Sequence, residues 1–208
     1  RPTVAKERHV TNGLSRALLI SSLLIPALGA AQEGGRPAKS SFNYTYVELG
    51  YDETDFDVGP GNDVDGDGLT LSGSFRLTDD WHVFAAYGES DLDFGIDVDS
   101  YAIGVGYSYP VRNDIDLYGR VLYIDQEVDF PGPGSADDDG LGLQFRVRGR
   151  VNDKVELEGG LQYIDVGDSD TSLQASARYY FTKAFSAGVG ITFGGDADGL
   201  GINARFSF

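Results

Sequence analysis

The amino-acid sequence has no cysteine and few basic residues, and each shortage excludes a class of protein. Without cysteine, the chain can form neither a disulfide scaffold nor a thiolate metal site. Its 16 lysines and arginines face 33 aspartates and glutamates, giving a formal net charge of -17. Nucleic-acid binding requires a basic surface to neutralise phosphates, so this composition argues against it. Helical periodicity of useful length is also missing after residue 41, and we therefore expect strands.

The N-terminal region has the composition of a secretory signal peptide. Residues 1–16 are basic, residues 17–28 ("ALLISSLLIPAL") are apolar, and the small residues of "GAAQ" suit a signal peptidase. A membrane anchor is the alternative, but the apolar run is too short to span a bilayer as a helix and contains Pro26. We predict a signal peptide over 1–31 and a periplasmic lead segment over 32–41.

The remainder, residues 42–208, predicts a barrel of ten strands. Each predicted strand is close to the ~9–11 residues that a tilted strand needs to cross a bilayer. The fold class that we predict is all-β, a transmembrane up-and-down antiparallel β-barrel. The predicted strands are 42–51, 68–77, 81–88, 100–109, 115–124, 140–151, 155–164, 171–181, 185–193 and 199–208.

The connections between the predicted strands alternate in length and charge. Four are brief, with the sequences "TDD", "PVRND", "NDK" and "TKA". The other five hold 23 of the 33 acidic residues and no lysine or arginine. They are residues 52–67, 89–99, 125–139, 165–170 and 194–198. We expect these five to be acidic extracellular loops, so that one end of the barrel is strongly negative.

The alternation within the strands predicts which face meets lipid. One face is rich in leucine, valine, isoleucine and tyrosine, whereas the other mixes arginine and glutamate with glycine, serine and alanine. A soluble barrel would turn the apolar face inward. Small residues among arginines suit a narrow lumen instead, and Lys154 and Lys183, the only lysines of the barrel region, lie in turns. We therefore place the apolar face against lipid, with aromatic residues near the strand ends as two interfacial girdles.

The tight turn "NDK" allows ion pairs to be predicted inside the lumen. If it joins two strands as a hairpin, Arg150 lies opposite Glu156 and Arg148 lies opposite Glu158. Such charges must be satisfied internally, because exposing one to hydrocarbon costs roughly 2–4 kcal/mol. They form either a polar core that holds the barrel closed or the lining of a charged pore.

The C-terminal stretch "GINARFSF" resembles the signature by which outer-membrane barrels are recognised by their assembly machinery. In this resemblance, Phe206 and Phe208 act as the assembly signal. The chain is similar to the small OmpA/OmpX-like barrels of Gram-negative bacteria. More closely, it resembles a family of small barrels of xanthomonad-type bacteria, some of which are labelled quorum or diffusible-signal factors. The stretches that carry this resemblance are "NYTYVELGY" (43–51), "DGLTLSGSF" (67–75), "WHVFAAYG" (81–88), "YAIGVGYSY" (101–109) and "DLYGRVLY" (116–123). It implies an outer-membrane location, while no residue explains the signalling label.

The stretch "DVDGDG" (63–68) begins like a calcium-binding EF-hand loop. Position twelve of such a loop is a glutamate, whereas counting from Asp63 gives Ser74, and a strand pattern follows instead of a helix. We therefore reject an EF-hand. The hypothesis that we keep is a weak surface site for Ca²⁺ or Mg²⁺ at Asp63, Asp65 and Asp67, and a merely solvated loop is the alternative.

Three classes of function are compatible with these features. An enzyme would need a nucleophile or an activated water beside histidine or paired carboxylates. His82, the only histidine after residue 31, lies at the end remote from the acidic connections, so we predict no catalytic residue. We expect a non-enzymatic barrel with a structural or surface-interaction role among outer-membrane lipid and lipopolysaccharide. A narrow porin-like channel is the alternative, although its interior arginines favour anions while its acidic mouths favour cations.

Overall fold

Ten antiparallel strands form a closed barrel in the computed structural model, which describes residues 40–57, 63–132, 134–195 and 197–208. The predicted signal peptide and most of the predicted lead segment lie outside the described residues. The strands are β1 (Tyr46–Asp57), β2 (Asp63–Arg76), β3 (Trp81–Leu92), β4 (Ile96–Arg112), β5 (Ile115–Asp129), β6 (Ser135–Asn152), β7 (Val155–Val166), β8 (Asp168–Tyr180), β9 (Phe185–Phe193) and β10 (Ala197–Ser207).

Pairing of β1 with β10 closes the barrel. Tyr46 lies opposite Ser207 at one end of this pair, and Phe56 lies opposite Ala197 at the other. Each of the other strands pairs with its neighbours in sequence. Closure leaves no strand edge, so every strand can satisfy its backbone hydrogen bonds inside the sheet, as a hydrocarbon surrounding demands. The predicted ten-stranded up-and-down barrel is confirmed. No helix in the described part of the chain is long and apolar enough to span a membrane.

The two faces of the sheet have the predicted polarity. Leu49 and Ile103 on the outer face are 55% and 62% exposed, whereas Arg148 on the inner face is 2% exposed. Exposed aliphatic and aromatic side chains surround the middle of the barrel. Near the short turns, the rings of Trp81 and Tyr107 contact each other edge to face at 5.0 Å. These features match an outer surface that is solvated by acyl chains and bordered by aromatic residues.

The strands extend well beyond their predicted ends at the acidic side of the barrel, and the predicted loop boundaries there are wrong. The predicted connection 89–99 is only a tight turn between Leu92 and Ile96. The predicted connection 125–139 shrinks to residues 130–134. In these segments the aspartates alternate with apolar or small residues, so the two-residue period of a strand continues and pairing continues with it.

The polarity of the two faces reverses in these strand extensions. Beyond the lipid-facing band, the carboxylates point outward and apolar side chains point into the barrel. Outward carboxylates are Glu53, Asp55, Asp65, Asp67, Glu89, Asp91, Asp97, Asp99, Asp125, Glu127, Asp129, Asp137, Asp139 and Asp165. The inward apolar residues, all half-buried, are Val64, Leu92, Ile96, Val98, Ile124, Val128, Ile164 and Val166. The extensions therefore have apolar side chains inside and charged side chains outside, as a barrel in water does. This reversal marks where the lipid-facing band ends.

Tyrosines mark this boundary between lipid and water. Tyr87 lies at the last lipid-facing position of β3 and stacks against Tyr101 of β4, with ring centroids 4.8 Å apart. Its hydroxyl lies within hydrogen-bond distance of the carboxylate of Glu89 and, at 3.0 Å, of that of Asp99. An amphipathic ring with its polar tip on the first row of carboxylates is typical of an interfacial girdle.

The first predicted strand, 42–51, begins too early. β1 starts at Tyr46, and residues 40–45 leave the sheet to enter the end of the lumen beside the short turns. The alternation of Phe42 and Tyr44 suggested a strand. Both side chains instead pack in a buried cluster with Tyr118, which removes their rings from water.

Candidate functional site

A layer of ion pairs crosses the lumen. Its charged residues, which we call the ion-pair layer, are Glu48, Arg146, Arg148, Glu156, Glu158, Arg178 and Arg205. Arg148 is central: its Nε lies 3.0 Å from Glu158 Oε2 and 3.1 Å from Glu156 Oε1. Arg150 reaches Glu156 at 3.8 Å. The structure thus brings together all four residues of the two ion pairs expected from the hairpin.

These charges lie on the adjacent strands β6 and β7. The register between the two strands is the one that the tight turn implies. Arg148 is directly opposite Glu158, and Arg150 is directly opposite Glu156. The register shifts between Arg150 and Asn152, so an extra residue is accommodated at the turn without moving the charged pairs. Tyr118 adds a hydrogen bond from its hydroxyl to Glu158 Oε1 at 2.6 Å. The carboxylates are therefore paired and hydrogen-bonded, as buried charges must be.

A second group of charges in this layer was missed by sequence reasoning. Glu48 Oε2 accepts a hydrogen bond from Arg178 at 2.6 Å and another from Arg205 at 2.7 Å. Glu48 and Arg205 are opposite each other only because β1 closes on β10. Arg178 reaches Glu48 from β8, which is not a neighbour of β1. Pairing the first strand with the last would have found Arg205, whereas no sequence signal indicates the contact of Arg178.

Residues 40–45 lie inside the lumen between the ion-pair layer and the short turns. Phe42 and Tyr44 are 2% and 1% exposed. Arg76 donates a hydrogen bond to the Phe42 carbonyl oxygen at 2.5 Å. The Arg148 guanidinium lies 5.1 Å from the Tyr44 ring centroid and 5.6 Å from that of Phe42. Aromatic rings and guanidinium groups thus stack across this half of the barrel, and each contact is of cation–π type.

Asp116 holds this segment in place. Its Oδ2 accepts a hydrogen bond from Ser40 Oγ at 2.5 Å and another from Tyr44 Oη at 3.0 Å. At the end of the barrel, Asn43 donates a side-chain hydrogen bond to the Phe208 carbonyl oxygen at 2.8 Å. The segment is therefore fixed both inside the lumen and at the short-turn end of the barrel. Periodicity could not predict this, because the contacts join residues that are far apart in sequence.

His82 has a structural environment. Its ring is 1% exposed and stacks on Tyr44 with centroids 4.7 Å apart. Arg120 donates a hydrogen bond from Nε to His82 Nε2 at 3.1 Å and another to the Tyr46 hydroxyl at 3.1 Å. The ring lies in the closed half of the lumen, away from the acidic end. In this position it can hold neighbouring aromatic and guanidinium groups.

A cavity of about 610 Å³ occupies the other half of the lumen, from the ion-pair layer to the acidic end. Its floor is formed by charged residues of the layer, including Glu48, Arg146 and Arg205. Above the floor, one part of the wall is polar, with the amide side chains of Gln144, Gln162, Gln174 and Asn203. Another part is apolar, with Leu122, Ile124, Ile164 and Val166. This volume is in the range of small-molecule sites.

The lipid-embedded lumen carries more positive than negative charge. Its arginines are Arg76, Arg120, Arg146, Arg148, Arg150, Arg178 and Arg205. Its carboxylates below the level of Asp52 are Glu48, Asp116, Glu156 and Glu158. Seven cationic groups therefore share four anionic ones. At the cavity floor, the imbalance is visible directly, since Arg178 and Arg205 share the single carboxylate of Glu48.

The acidic rim, meaning the outward carboxylates of the strand extensions, contains two of the predicted cation ligands. Asp65 lies opposite Asp55, and Asp67 lies opposite Glu53. The Asp63 side chain lies outside the described residues. Neighbouring aspartates along one strand face are roughly 7 Å apart, so cross-strand pairs bring carboxylates closer than the run itself does. In the described part of the chain, no three acidic or histidine side chains are grouped to hold a metal ion. The cation site stays a prediction.

Crowding of carboxylates at the rim is visible in two pKa values. Hydrogen bonding and repulsion between Asp55 and Asp65 raise the pKa of Asp65. Repulsion from Asp137, followed by that from Asp129, raises the pKa of Glu127. A pKa raised in this way means that neighbouring carboxylates of the rim repel one another in their charged form. A bound cation would reduce that repulsion.

The predicted assembly signal lies on the outer face of the last strand. Phe206 is 51% exposed, Phe208 is 69% exposed, and their rings meet edge to face at 5.2 Å. Phe208 also donates its backbone N–H to the Thr45 carbonyl oxygen at 3.1 Å. The two rings are thus accessible from the lipid side, and their role in assembly stays a prediction.

Comparison with solved structures finds other barrels of similar fold. The chain is similar to the translocator domain of the autotransporter NalP from Neisseria meningitidis, with a TM-score of 0.50 and 10% identity over 88% of this chain and 92% of that one. It is also similar to an outer-membrane channel from Pseudomonas putida F1, with a TM-score of 0.47 and 14% identity over 85% and 100% of the two chains. A third similar structure is Neisserial surface protein A, with a TM-score of 0.45 and 16% identity over 78% and 96%.

Identities this low bear on the fold alone. No curated protein sequence matches the chain. A family model for the outer membrane protein beta-barrel domain matches residues 20–193, which is most of the sequence. Together with the closed barrel and its lipid-facing apolar surface, this match locates the protein in the bacterial outer membrane. The chain therefore belongs to the outer membrane protein beta-barrel domain family.

Proposed function

We propose that this protein is a closed, non-enzymatic outer-membrane barrel that acts at the outer surface of the cell, in envelope structure or in surface interactions. The observation that carries the proposal is the packing of residues 40–45 inside the lumen on one side of the ion-pair layer. A barrel that is closed in this way presents its acidic rim and its cavity but does not connect the two compartments.

Two successive layers support closure. The first is the ion-pair layer, in which Arg148 is 2% exposed. The second is formed by residues 40–45, whose Phe42 and Tyr44 rings are almost fully buried. A permeating ion would have to break several charge-assisted hydrogen bonds and displace buried aromatic rings. Both events are expensive in a space of low dielectric constant.

The orientation of the barrel follows from its connections. The short turns lie at the end where residues 40–45 and the C-terminal strand end meet. Outer-membrane barrels have short periplasmic turns and longer extracellular connections, so the proposal places the acidic rim outside the cell. There the carboxylates lie among lipopolysaccharide phosphates, and divalent cations can bridge the two anionic surfaces. Asp63, Asp65 and Asp67 are the proposed contributors on β2.

A lack of catalytic residues is part of the proposal. His82 supports it, because this histidine is buried on the side of the ion-pair layer away from the cavity and is engaged by Tyr44 and Arg120. General acid–base chemistry needs such a group within reach of a substrate. The rim carboxylates point outward from the strands rather than toward a common centre.

Conductance in planar lipid bilayers tests closure. We expect the purified full chain to insert without steady current, because both lumen layers must yield before ions pass. Sustained, regular current steps in the unaltered protein would contradict the closed barrel. Preparations of a general porin inserted under the same conditions serve as the positive control.

A narrow channel is the second candidate, and one observation favours it. Residues 40–45 lie outside the sheet, and the cavity already occupies the other half of the lumen. If this segment leaves the lumen in the cell, the ion-pair layer is the sole remaining barrier within the described residues. The double variant Phe42→Gly, Tyr44→Gly distinguishes the candidates: steps that appear only in this variant favour a gated channel, and silence favours the closed barrel.

A further inference from the structure

The cavity floor has a positive charge that its own carboxylates do not balance. Arg178 and Arg205 both contact the Oε2 atom of Glu48, at 2.6 Å and 2.7 Å. Both guanidinium groups are more than nine-tenths buried. One carboxylate cannot neutralise two buried cations, and Glu156, directly opposite Arg178, is already paired with Arg148 and Arg150, so this corner of the cavity keeps excess positive charge. An anion of suitable size would be attracted there.

Three polar atoms in the cavity wall have no hydrogen-bond partner in the described part of the chain. They are Gln144 Oε1, Asn203 Oδ1 and Arg146 Nε, and each is inaccessible in the absence of a bound group. All three residues line the same cavity. The two amide oxygens require donors, such as hydroxyl groups, and the guanidinium N–H requires an acceptor. Buried polar groups are normally paired, so rotation of these side chains toward a polar ligand in the cavity would satisfy them.

The shape of the cavity favours binding over passage. It is open toward the acidic end and is closed below by the ion-pair layer and residues 40–45. Its walls are paired strands, so the polar groups are held by a rigid frame. The other two carboxylates at the floor, Glu156 and Glu158, are paired with Arg146, Arg148 and Arg150, so five arginines share three carboxylates there. The floor therefore stays locally positive.

We propose that the cavity binds a small hydroxylated organic anion, with its carboxylate at Arg178 and Arg205 and its hydroxyl groups on the amides of Gln144 and Asn203. This inference adds a binding site to the proposed function and does not depend on it. A ligand can occupy the cavity whether or not the barrel conducts.

Calorimetric titration with malate and with its neutral diamide tests the inference on the full chain, refolded in neutral detergent at fixed ionic strength. Malate carries two carboxylates and one hydroxyl, and the diamide keeps the hydroxyl and the shape without the charge. We expect malate to bind and the diamide to bind at least about tenfold more weakly. Equal binding of the two, or binding of neither, would overturn the proposal.

Two substitutions of the same ion-pair group should change malate affinity in opposite directions. Arg178→Gln removes the excess charge and leaves Glu48 paired with Arg205, so we expect affinity to fall by about tenfold or more. Glu48→Gln leaves both guanidinium groups for the ligand, so affinity should rise. Arg112→Gln is the matched control, because Arg112 is exposed beside Asp114 and lies outside the lumen. An equal loss in Arg112→Gln and Arg178→Gln would show binding by net charge only, and the site would be refuted.

If Arg178→Gln does not refold, Gln144→Leu tests the proposed binding site without changing its charge. It removes one unpartnered amide oxygen from the wall and keeps the ion-pair layer intact. We expect weaker malate binding in this variant with an unchanged circular dichroism spectrum. Unaltered affinity would overturn the assignment of the wall amides to the ligand.

Discussion

At the residue scale, inward-facing glycines allow the strands and the lumen side chains to pack closely. A Cβ atom added to Gly160 would lie 2.7 Å from the Arg146 Cα atom, and the Phe145 carbonyl oxygen would be closer still. A Cβ atom on Gly190 would have its nearest neighbours at 3.7 Å, which is ordinary contact. Both glycines face the lumen, so the two positions differ mainly in the free space beside the added methyl group.

We predict that Gly160→Ala destabilises the folded barrel by about 1–3 kcal/mol, because the backbone of β6 must move to admit the methyl group. Gly190→Ala should change stability by less than about 0.5 kcal/mol. Urea unfolding of the refolded variants, followed by tryptophan fluorescence, measures both values. The same loss at the two positions would show that close strand packing at Gly160 is not the cause.

Residues 40–45 are the element most easily tested, because the buried side chains of Phe42 and Tyr44 anchor them in the barrel. Tyr44 is 1% exposed and contacts Asp116, His82 and Arg148. We predict that Tyr44→Ala lowers the free energy of unfolding by about 3 kcal/mol, since a buried aromatic ring is lost. Tyr51→Ala is the matched control, because Tyr51 is on the outer face and is 38% exposed. A smaller loss for Tyr44→Ala than for the control would contradict a packed segment inside the lumen.

The acidic strand extensions should make stability depend on pH and on divalent cations. The raised pKa values of Asp65 and Glu127 mean that the folded state binds their protons more tightly than the unfolded chain does. Their contribution is therefore favourable at low pH and is lost as the pH rises through and above the ordinary carboxyl range of about 4. We predict that the double variant Asp65→Asn, Glu127→Gln melts at a higher temperature than the unaltered protein at neutral pH, and that added Ca²⁺ raises the melting temperature of the unaltered protein.

The triple variant Asp63→Asn, Asp65→Asn, Asp67→Asn shows whether the predicted cation ligands cause this response. We expect a smaller stabilisation by Ca²⁺ than in the unaltered protein, since fewer carboxylates can bind the ion. Asp153→Asn, in an exposed short turn, should behave like the unaltered protein. Identical Ca²⁺ responses in all three proteins would show that Asp63, Asp65 and Asp67 do not bind the ion.

On the scale of the whole molecule, the barrel and the face of its sheet that meets lipid could be predicted from the sequence, because both follow from the local alternation of apolar and polar residues. The Arg148 and Glu158 pair could be expected from a single hairpin turn. The contacts of Glu48 could not, since they depend on closure between the first and last strands and on reach across the lumen. The strand extensions were missed because aspartate-rich segments resemble loops, although Ile96 and Val98 keep the two-residue period. No local pattern shows that residues 40–45 turn into the lumen.

The central claim is a barrel whose cavity opens outward and whose other half is closed. Since the chain has no cysteine, single cysteines introduced into it report accessibility without background. Ser176 lines the cavity, whereas Ser186 is 0% exposed in the closed half. The most direct measurement is labelling of Ser176→Cys and Ser186→Cys in intact Gram-negative cells with a small maleimide that does not cross the outer membrane. We predict that Ser176→Cys is labelled and that Ser186→Cys reacts only after unfolding. Rapid labelling of Ser186→Cys, or no labelling of Ser176→Cys, would contradict the account.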